Sequence, residues 1–174
     1  KKDNSNIGIG LYKEKRKVYK GINFISDLNN NERRNIHLGI DIFIEHGTDL
    51  YAPIDGKIKI LKNNAFKYDY GPTLVLEHEF ENTKFYTLYG HLSKIILQKL
   101  KIGKKVKKGD WIGKIGQTKE NGNWLPHLHF QIILDLLGEK TKFYTLYGHL
   151  SKIIFKKLKI GKKVKKGDWI GKIG

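Results

Sequence analysis

The clearest pattern in the chain is the alternation of apolar and polar positions in residues 36–43, Ile-His-Leu-Gly-Ile-Asp-Ile-Phe. A period of two is typical of a β-strand that is buried on one face. On such a strand His37, Gly39 and Asp41 lie on the same face. Because Gly39 has no side chain, we expect open space between the imidazole and the carboxylate, where an ion could sit.

A second alternating segment lies far downstream, in residues 126–131, Pro-His-Leu-His-Phe-Gln. Here His127 and His129 fall on one face of the predicted strand, and Leu128 and Phe130 fall on the other. We expect this segment to be the partner of the first one, because together they bring imidazoles and a carboxylate to one place.

The remaining apolar runs are short and are separated by Gly, Asn and Pro. Asp55-Gly56, between two extended runs, predicts a β-hairpin, and residues 93–100 predict a single helical turn. Further strands are expected around residues 11–12, 18–19, 57–61, 73–78 and 84–89 and within 103–116. Many short strands with Gly-rich turns predict an all-β fold, either a sandwich or a partly open barrel.

The two alternating segments supply the donors that a catalytic zinc ion uses. Such an ion commonly binds two imidazoles and one carboxylate, with a fourth position left for water. His37, Asp41 and one of the pair His127 and His129 would complete this set, and from the residues alone either histidine can be the ligand. The alternative interpretation is that the His-x-His segment has no functional role. In that case His37 and Asp41 are a hydrogen-bonded pair outside any metal site.

Other histidines and aromatic residues have weaker signals. His46 lies in a predicted turn and His78 at a strand end, so we expect both to be solvated or at the edge of the core. Trp124, Tyr86 and Tyr89 could line a substrate groove, although aromatic residues beside strands more often belong to the core.

Composition narrows the function classes. The 174 residues include 34 Lys and Arg against 17 Asp and Glu, a formal net charge of +17, which raises the question of a nucleic-acid partner. Only three of the basic residues are Arg, the better phosphate ligand, and we expect no nucleic-acid partner. The chain has no Cys, so disulfides and Cys-based zinc sites are excluded. No apolar run predicts a membrane span, no signal peptide is visible, and no pattern indicates an oligomeric state.

Residues 139–174 repeat residues 81–116 almost letter for letter, with three differing pairs, Asn82/Lys140, Leu97/Phe155 and Gln98/Lys156. We predict one domain in residues 1–138, with its core at about 35–135, and a partial duplicate in 139–174 that is not an independent domain. The duplicate ends before any counterpart of His127 and His129, so we expect it to add no second active site.

These motifs together resemble the lysostaphin/LytM-type zinc metallopeptidases. The resemblance spans about residues 35–135. The segments that carry it are His37-Leu-Gly-Ile-Asp41, Ala52-Pro53 with Asp55-Gly56, Tyr89-Gly90-His91-Leu92, residues 106–116 and Pro126-His127-Leu128-His129-Phe130. It implies an antiparallel β-sheet groove with a barrel-sandwich hybrid core, a duplicated hybrid motif, around residues 103–116. It also implies hydrolysis of short peptides, typically peptidoglycan cross-bridges or stems, by a zinc-activated water.

The same resemblance implies roles for five residues. His37, Asp41 and His129 would bind Zn²⁺, and His91 and His127 would be the catalytic histidines beside it. The chain has no H-E-x-x-H motif, in which a Glu supplies the base, so an imidazole must be the base or stabilise the oxyanion. Nothing in the sequence assigns these two roles between His91 and His127, and the substrate-binding residues stay unassigned.

A narrower resemblance is to the version of this domain found in fusions with class III aminotransferases. It rests on Tyr12, Arg16 and Tyr19, on Asn63-Asn64 with Asp69-Tyr70-Gly71-Pro72, and on Asn121-Gly122-Asn123-Trp124. A standalone member would act in the cell envelope or outside the cell, and a fused member would be cytoplasmic. The alternative to catalysis is a non-catalytic metal-binding or regulatory module of a larger fusion enzyme.

Overall fold

The computed structural model of the chain describes residues 7–16 and 36–136. The strand predicted around residues 18–19, the domain boundary at residue 138 and the duplicate in 139–174 lie outside these residues. In the described part of the chain, no helix has the length and apolar character that a membrane span requires.

Strands are the main regular secondary structure of the described residues. Nine strands and one short helix are present in this part of the chain: β1 (Gly8–Gly10), β2 (Ile40–Phe43), β3 (Asp49–Tyr51), β4 (Gly56–Asn64), β5 (Gly71–Phe80), β6 (Thr83–Gly90), α1 (Ile95–Lys99), β7 (Lys105–Val106), β8 (Trp111–Lys114) and β9 (Leu128–Ile133). The helical turn expected in residues 93–100 is α1.

Seven strands form one sheet in the order β1-β2-β9-β6-β5-β4-β7. Every neighbouring pair in this sheet is antiparallel. The strands β3 and β8 form a separate antiparallel pair. Residues 103–116 thus contribute β7 to the large sheet and β8 to the small one. The predicted all-β, antiparallel fold class is confirmed.

The core is built from the apolar side chains of several elements. The strands of the large sheet contribute Ile58, Leu74, Leu76, Leu88 and Leu128, α1 contributes Ile96, and β8 contributes Ile112, each at most 7% exposed. On β5 and β6 the buried apolar side chains occupy both faces of the sheet, since Leu74 and Leu76 lie on one face and Leu88, opposite Val75, lies on the other. Burial of this apolar surface is the main stabilising contribution to the fold.

The hairpin predicted at Asp55-Gly56 is wrong. The strand before it, β3, pairs with β8, and the strand after it, β4, pairs with β5 and β7. A Cβ at Gly56 would lie 2.7 Å from Nδ1 of His78, so the glycine allows a close approach rather than a tight turn. The β5–β6 connection is a hairpin, and Glu81 and Asn82 take positive φ angles of 48° and 62° there.

The strand expected around residues 11–12 is displaced toward the N-terminus. The strand β1 is Gly8–Gly10, and it pairs with β2 at the edge of the large sheet. Leu11 and Tyr12 follow it and are 65% and 55% exposed. An existing strand edge selects its partner by backbone hydrogen bonds, so the Gly-Ile-Gly segment forms a strand despite its low intrinsic propensity.

By compactness the described residues divide into two units, 7–12 with 39–135 and 13–16 with 36–38 and 136. Within the described part of the second unit, Lys15 pairs with Ile36 in an isolated bridge. The backbone of His37 donates to the Glu14 carbonyl (2.9 Å) and accepts from the Lys13 N–H (2.7 Å). Nη2 of Arg16 lies 3.1 Å from Nδ1 of His37.

The expectation that His37, Gly39 and Asp41 share one strand face is wrong. The strand β2 begins at Ile40, and Gly39 lies in a bend before it. His37 is instead tied to residues 13 and 14 by its own backbone hydrogen bonds. Because of these bonds and the bend at Gly39, the strand conformation does not extend to His37, although the alternating sequence pattern does.

Candidate metal centre

Strand register brings the polar side chains of the large sheet together. The strand β9 lies between β2 and β6, with His129 opposite Asp41 on one side and opposite Gly90 on the other. Directly opposite residues in an antiparallel pair have their side chains on the same face. Asp41 therefore reaches His129, and the chain leaving β6 after Gly90 places His91 next to them.

Asp41 is the centre of this group. Its Oδ1 lies 3.0 Å from Nδ1 of His129 and 3.7 Å from Nε2 of His127. The ring of His91 lies 4.3 Å from that of His127, centroid to centroid. We call Asp41, His91, His127 and His129 the histidine cluster. All four residues are at most 5% exposed, and a carboxylate is costly to bury unless a positive charge or hydrogen bonds compensate it.

The histidine pair of the second segment does not lie wholly on the strand. The strand β9 begins at Leu128, so His129 belongs to it and His127 precedes it. Nδ1 of His127 lies 2.6 Å from the Leu125 carbonyl. Because a carbonyl only accepts, Nδ1 carries the hydrogen and Nε2 faces Asp41.

His91 is held in an uncommon backbone conformation. Its φ angle is 62°, a left-handed value that few residues other than glycine adopt. Its N–H donates to the Tyr70 carbonyl (2.7 Å), and its carbonyl accepts from the Gly116 N–H (2.9 Å). Its Nδ1 donates to the Asn121 carbonyl (2.8 Å), so a neutral His91 keeps its lone pair on Nε2.

Burial sets the protonation state of His91. The loss of water around the ring lowers the pKa of His91 well below its ordinary value, and the neighbouring His127 and His129 lower it further. The Asn121 carbonyl and the Asp41 carboxylate act in the opposite direction and do not outweigh these effects. His91 is therefore neutral near pH 7 and able to accept a proton.

His37 completes a group that could hold a metal ion. His37, Asp41 and His129 each offer one ligand atom, and these three atoms lie within 4.8 Å of one another. All three residues are buried. Two imidazoles and one carboxylate are also the donor types that catalytic zinc sites use, so the residues present fit such an ion.

The space at Gly39 is not the one that the sequence suggested. A Cβ there would lie 2.6 Å from Nε2 of His129 and 2.5 Å from the Phe130 carbonyl oxygen. Gly39 therefore leaves room for the His129 ring and the β9 backbone, so the open space expected at this position is filled by other protein atoms.

Aromatic rings border the histidine cluster. Trp124, which the sequence suggested, has its ring 6.0 Å from that of His91 and 6.3 Å from that of His127. The ring centroid of Tyr70 lies 4.9 Å from that of His129 and 5.8 Å from that of His91. Sequence reasoning did not place Tyr70 at the site, although the residue belongs to the Asp69-Tyr70-Gly71-Pro72 segment of the narrower resemblance.

The other suggested aromatic residues lie elsewhere. Tyr89 is 3% exposed and belongs to the core, and Tyr86 lies opposite Ile133 in the β6–β9 pair. His46 is exposed in a turn, as expected. The expectation for His78 is wrong, because this residue is 2% exposed and its ring is hydrogen-bonded inside the sheet.

Fold and cluster together define an antiparallel β-sheet protein with a candidate metal centre. The family model described as Peptidase family M23 matches residues 35–139. The chain belongs to peptidase family M23. The family resemblance noted from the motifs is thereby confirmed at the level of the M23 (LytM/lysostaphin-type) family.

Curated relatives match the same part of the chain. Peptidoglycan DD-endopeptidase ShyA of Vibrio cholerae serotype O1 is 34% identical over 98 residues, which are 56% of this chain and 20% of the relative. Glycyl-glycine endopeptidase ALE-1 of Staphylococcus capitis is 33% identical over 106 residues, 60% of this chain and 26% of the relative. The chain thus spans about a fifth to a quarter of the length of these relatives.

Solved structures share the fold. The crystal structure of a zinc containing peptidase from Vibrio cholerae has a TM-score of 0.52 and 29% sequence identity, over 73% of this chain and 33% of that one. The NMR solution structure of lysostaphin has a TM-score of 0.51 and 25% identity, over 87% of this chain and 50% of that one.

Proposed function

We propose that this chain is a zinc-dependent metalloendopeptidase that hydrolyses short peptide bonds, with peptidoglycan cross-bridges or stems as the substrate class. The observation that carries the proposal is the histidine cluster, in which one buried carboxylate faces His127 and His129 while His91 lies beside them. Family membership supports a peptidase, and similarity to the peptidoglycan DD-endopeptidase ShyA supports peptidoglycan peptides as substrates. Similarity to the glycyl-glycine endopeptidase ALE-1 supports glycine-containing peptides among them.

His37, Asp41 and His129 would hold the zinc ion. When bound, zinc lowers the pKa of water toward neutrality and polarises the scissile carbonyl. The protein contributes a buried, preorganised set of donors, whose partners in the sheet restrict their movement. The aromatic rings of Tyr70 and Trp124 lie beside the histidine cluster, within 4.9–6.3 Å of its rings.

His91 and His127 would be the catalytic histidines. His91 is neutral, with its hydrogen on Nδ1 held by the Asn121 carbonyl, so its Nε2 is suited to accept a proton from the attacking water. His127 has its Nδ1 hydrogen held by the Leu125 carbonyl, and its Nε2, once protonated, would donate to the oxyanion of the tetrahedral intermediate. The protonated His91 would then deliver its proton to the leaving amine.

The test combines metal content with cleavage. The 174-residue chain is loaded with Zn²⁺, freed of excess metal and assayed on muropeptides with direct and glycine-bridged cross-links. We expect one zinc per chain and cleavage of at least one cross-link, with both lost in Asp41→Ala. One zinc per chain without turnover on any cross-link would instead favour the non-catalytic module, and absence of zinc binding would overturn the metal centre.

The finer resemblance, to the version fused with class III aminotransferases, also remains a proposal. It predicts that a longer reading frame continues into an aminotransferase domain. Sequencing the genomic region around this chain tests it, because a frame without such a domain would remove the fusion context and leave the peptidase proposal intact.

A further inference from the structure

The ring of His129 lies between two groups that both present oxygen to it. Its Nδ1 is 3.0 Å from Oδ1 of Asp41, and its Nε2 is 3.4 Å from Oε1 of Gln131. Gln131 is 7% exposed and follows His129 by two residues on β9, so that both side chains lie on the same face of the sheet.

A neutral imidazole has one N–H and cannot donate to both oxygens. With the hydrogen on Nδ1, the ring donates to Asp41, and the lone pair of Nε2 faces the amide oxygen of Gln131. With the hydrogen on Nε2, the ring donates to Gln131, and the lone pair of Nδ1 faces the carboxylate oxygen. Two electron-pair donors that face each other in this way are suited to a cation between them.

We propose that Gln131 is a positioning residue for the metal centre. Its amide oxygen holds the hydrogen of His129 on Nε2, so that Nδ1 is the atom offered to the metal together with Asp41. The inference rests on the proposed function, since it requires His129 to be a metal ligand. Outer hydrogen-bond partners of this kind fix the tautomer and orientation of ligating histidines.

Two substitutions of Gln131 in the full 174-residue chain separate the effect of its acceptor oxygen from the effect of its side-chain length. Gln131→Met keeps the length of the side chain and removes the acceptor, and we expect the Zn²⁺ dissociation constant to rise about 10- to 100-fold. Gln131→Glu keeps an acceptor and cannot donate, so it holds the same tautomer. We expect it to bind Zn²⁺ at least as tightly as the wild type. Affinities are measured by competition with a chelator of known affinity.

Thr87→Val is the matched control. Thr87 is 3% exposed on the neighbouring strand β6, and its Oγ1 lies 2.7 Å from Nε2 of His78. The change removes a buried hydrogen bond of the same sheet at a place outside the histidine cluster. We expect a lower melting temperature and an unchanged Zn²⁺ affinity, which distinguishes lost positioning from general loosening of the sheet.

A second readout does not depend on zinc. In the metal-free protein, the ¹⁵N chemical shifts of the His129 ring report which nitrogen carries the hydrogen. We expect Gln131→Glu to shift the population toward Nε2–H and Gln131→Met to shift it toward Nδ1–H. If the Met variant does not fold, the comparison of Gln131→Glu with the wild type still decides the direction.

The outcomes separate this inference from the proposed function. Equal Zn²⁺ affinity in the wild type and Gln131→Met, or weaker binding by Gln131→Glu than by Gln131→Met, would overturn the role of Gln131 and leave the metal centre in place. A wild-type chain that binds no Zn²⁺ would overturn both.

Discussion

Buried histidines occur at two places in the seven-stranded sheet or directly beside it, and they differ in what their ring nitrogens face. His78 on β5 is 2% exposed, and its nitrogens lie 2.7 Å from the Asp55 carbonyl and 2.7 Å from Oγ1 of Thr87. Both partners are uncharged. In the histidine cluster, by contrast, His127 and His129 face the carboxylate of Asp41.

Burial of a histidine therefore does not by itself mark a functional site. A buried ring whose two nitrogens have neutral partners is a structural element, because its hydrogen bonds are satisfied without any change of charge. Several titratable groups buried against one another are unfavourable unless a bound ion or proton transfer makes use of them. The following predictions test this distinction, from the largest effect to the smallest.

The largest effect is expected for Asp41→Ala. The change removes the one carboxylate of the histidine cluster, to which both His127 and His129 are directed. We expect Zn²⁺ affinity to fall by more than the roughly 100-fold that loss of an outer partner brings, and peptidase activity to disappear. Metal analysis and muropeptide cleavage check this, and a variant that retained one zinc per chain would place the metal elsewhere.

The second prediction sets His91→Gln against His78→Gln. Loss of a general base or acid lowers the rate by about 10²–10⁴-fold, so we expect that decrease in kcat for His91→Gln with Zn²⁺ affinity retained. For His78→Gln we expect a loss of about 1–3 kcal/mol in the free energy of unfolding and nearly unchanged kcat. Denaturant titration and steady-state kinetics measure the two effects. A large loss of kcat in His78→Gln, with only a loss of stability in His91→Gln, would show that the catalytic and structural roles are assigned to the wrong histidines.

The third prediction concerns the stability of the metal-free protein in acid. The pKa of His91 is lowered in the folded state, so below about pH 6.5, the ordinary pKa of a histidine, the unfolded chain binds a proton that the folded one does not. The stabilisation present above that pH is therefore lost as pH falls, with a slope of up to about 1.4 kcal/mol per pH unit from this group. Urea titrations at pH 5.5–7.5 measure it, and His91→Gln should flatten the slope.

The smallest effect is expected for truncation after Leu137. The histidine cluster and every strand named above lie before this residue, so we expect unchanged zinc content and cleavage. Assays on the truncated and full chains check this. Loss of either property would show that the duplicate in 139–174 is essential and would contradict the prediction that it adds no second active site.

Part of the site could be predicted from the local alternation of apolar and polar residues. Alternation at residues 40–43 and 128–131 correctly indicates strands, since the period of side-chain direction is a property of the local backbone. The same alternation fails at His37, where a bend at Gly39 and hydrogen bonds to residues 13 and 14 replace the strand. The hydrogen bonds of His37 are made to residues more than 20 positions away in the sequence. The pattern of apolar and polar residues within the segment therefore cannot predict them.

The positions of His91 and Gln131 relative to the other site residues could not be predicted from the sequence pattern. His91 reaches His127 because β6 ends next to His129 and because the chain then takes a positive φ angle, with its ring held by Asn121. Gln131 follows His129 by two residues on β9, but its contact with that ring is determined by the orientation of the ring in the folded sheet.

The all-β class, the match of residues 35–139 to the M23 family model and the types of donor that the chain can offer all follow from the amino-acid sequence. The folded arrangement is needed to know which donors meet, that Gly39 makes room for the His129 ring, and that His78 has a structural role. The reason is physical: periodicity and residue type are local properties, whereas register and the hydrogen-bond partners of a ring depend on strands that are far apart in sequence.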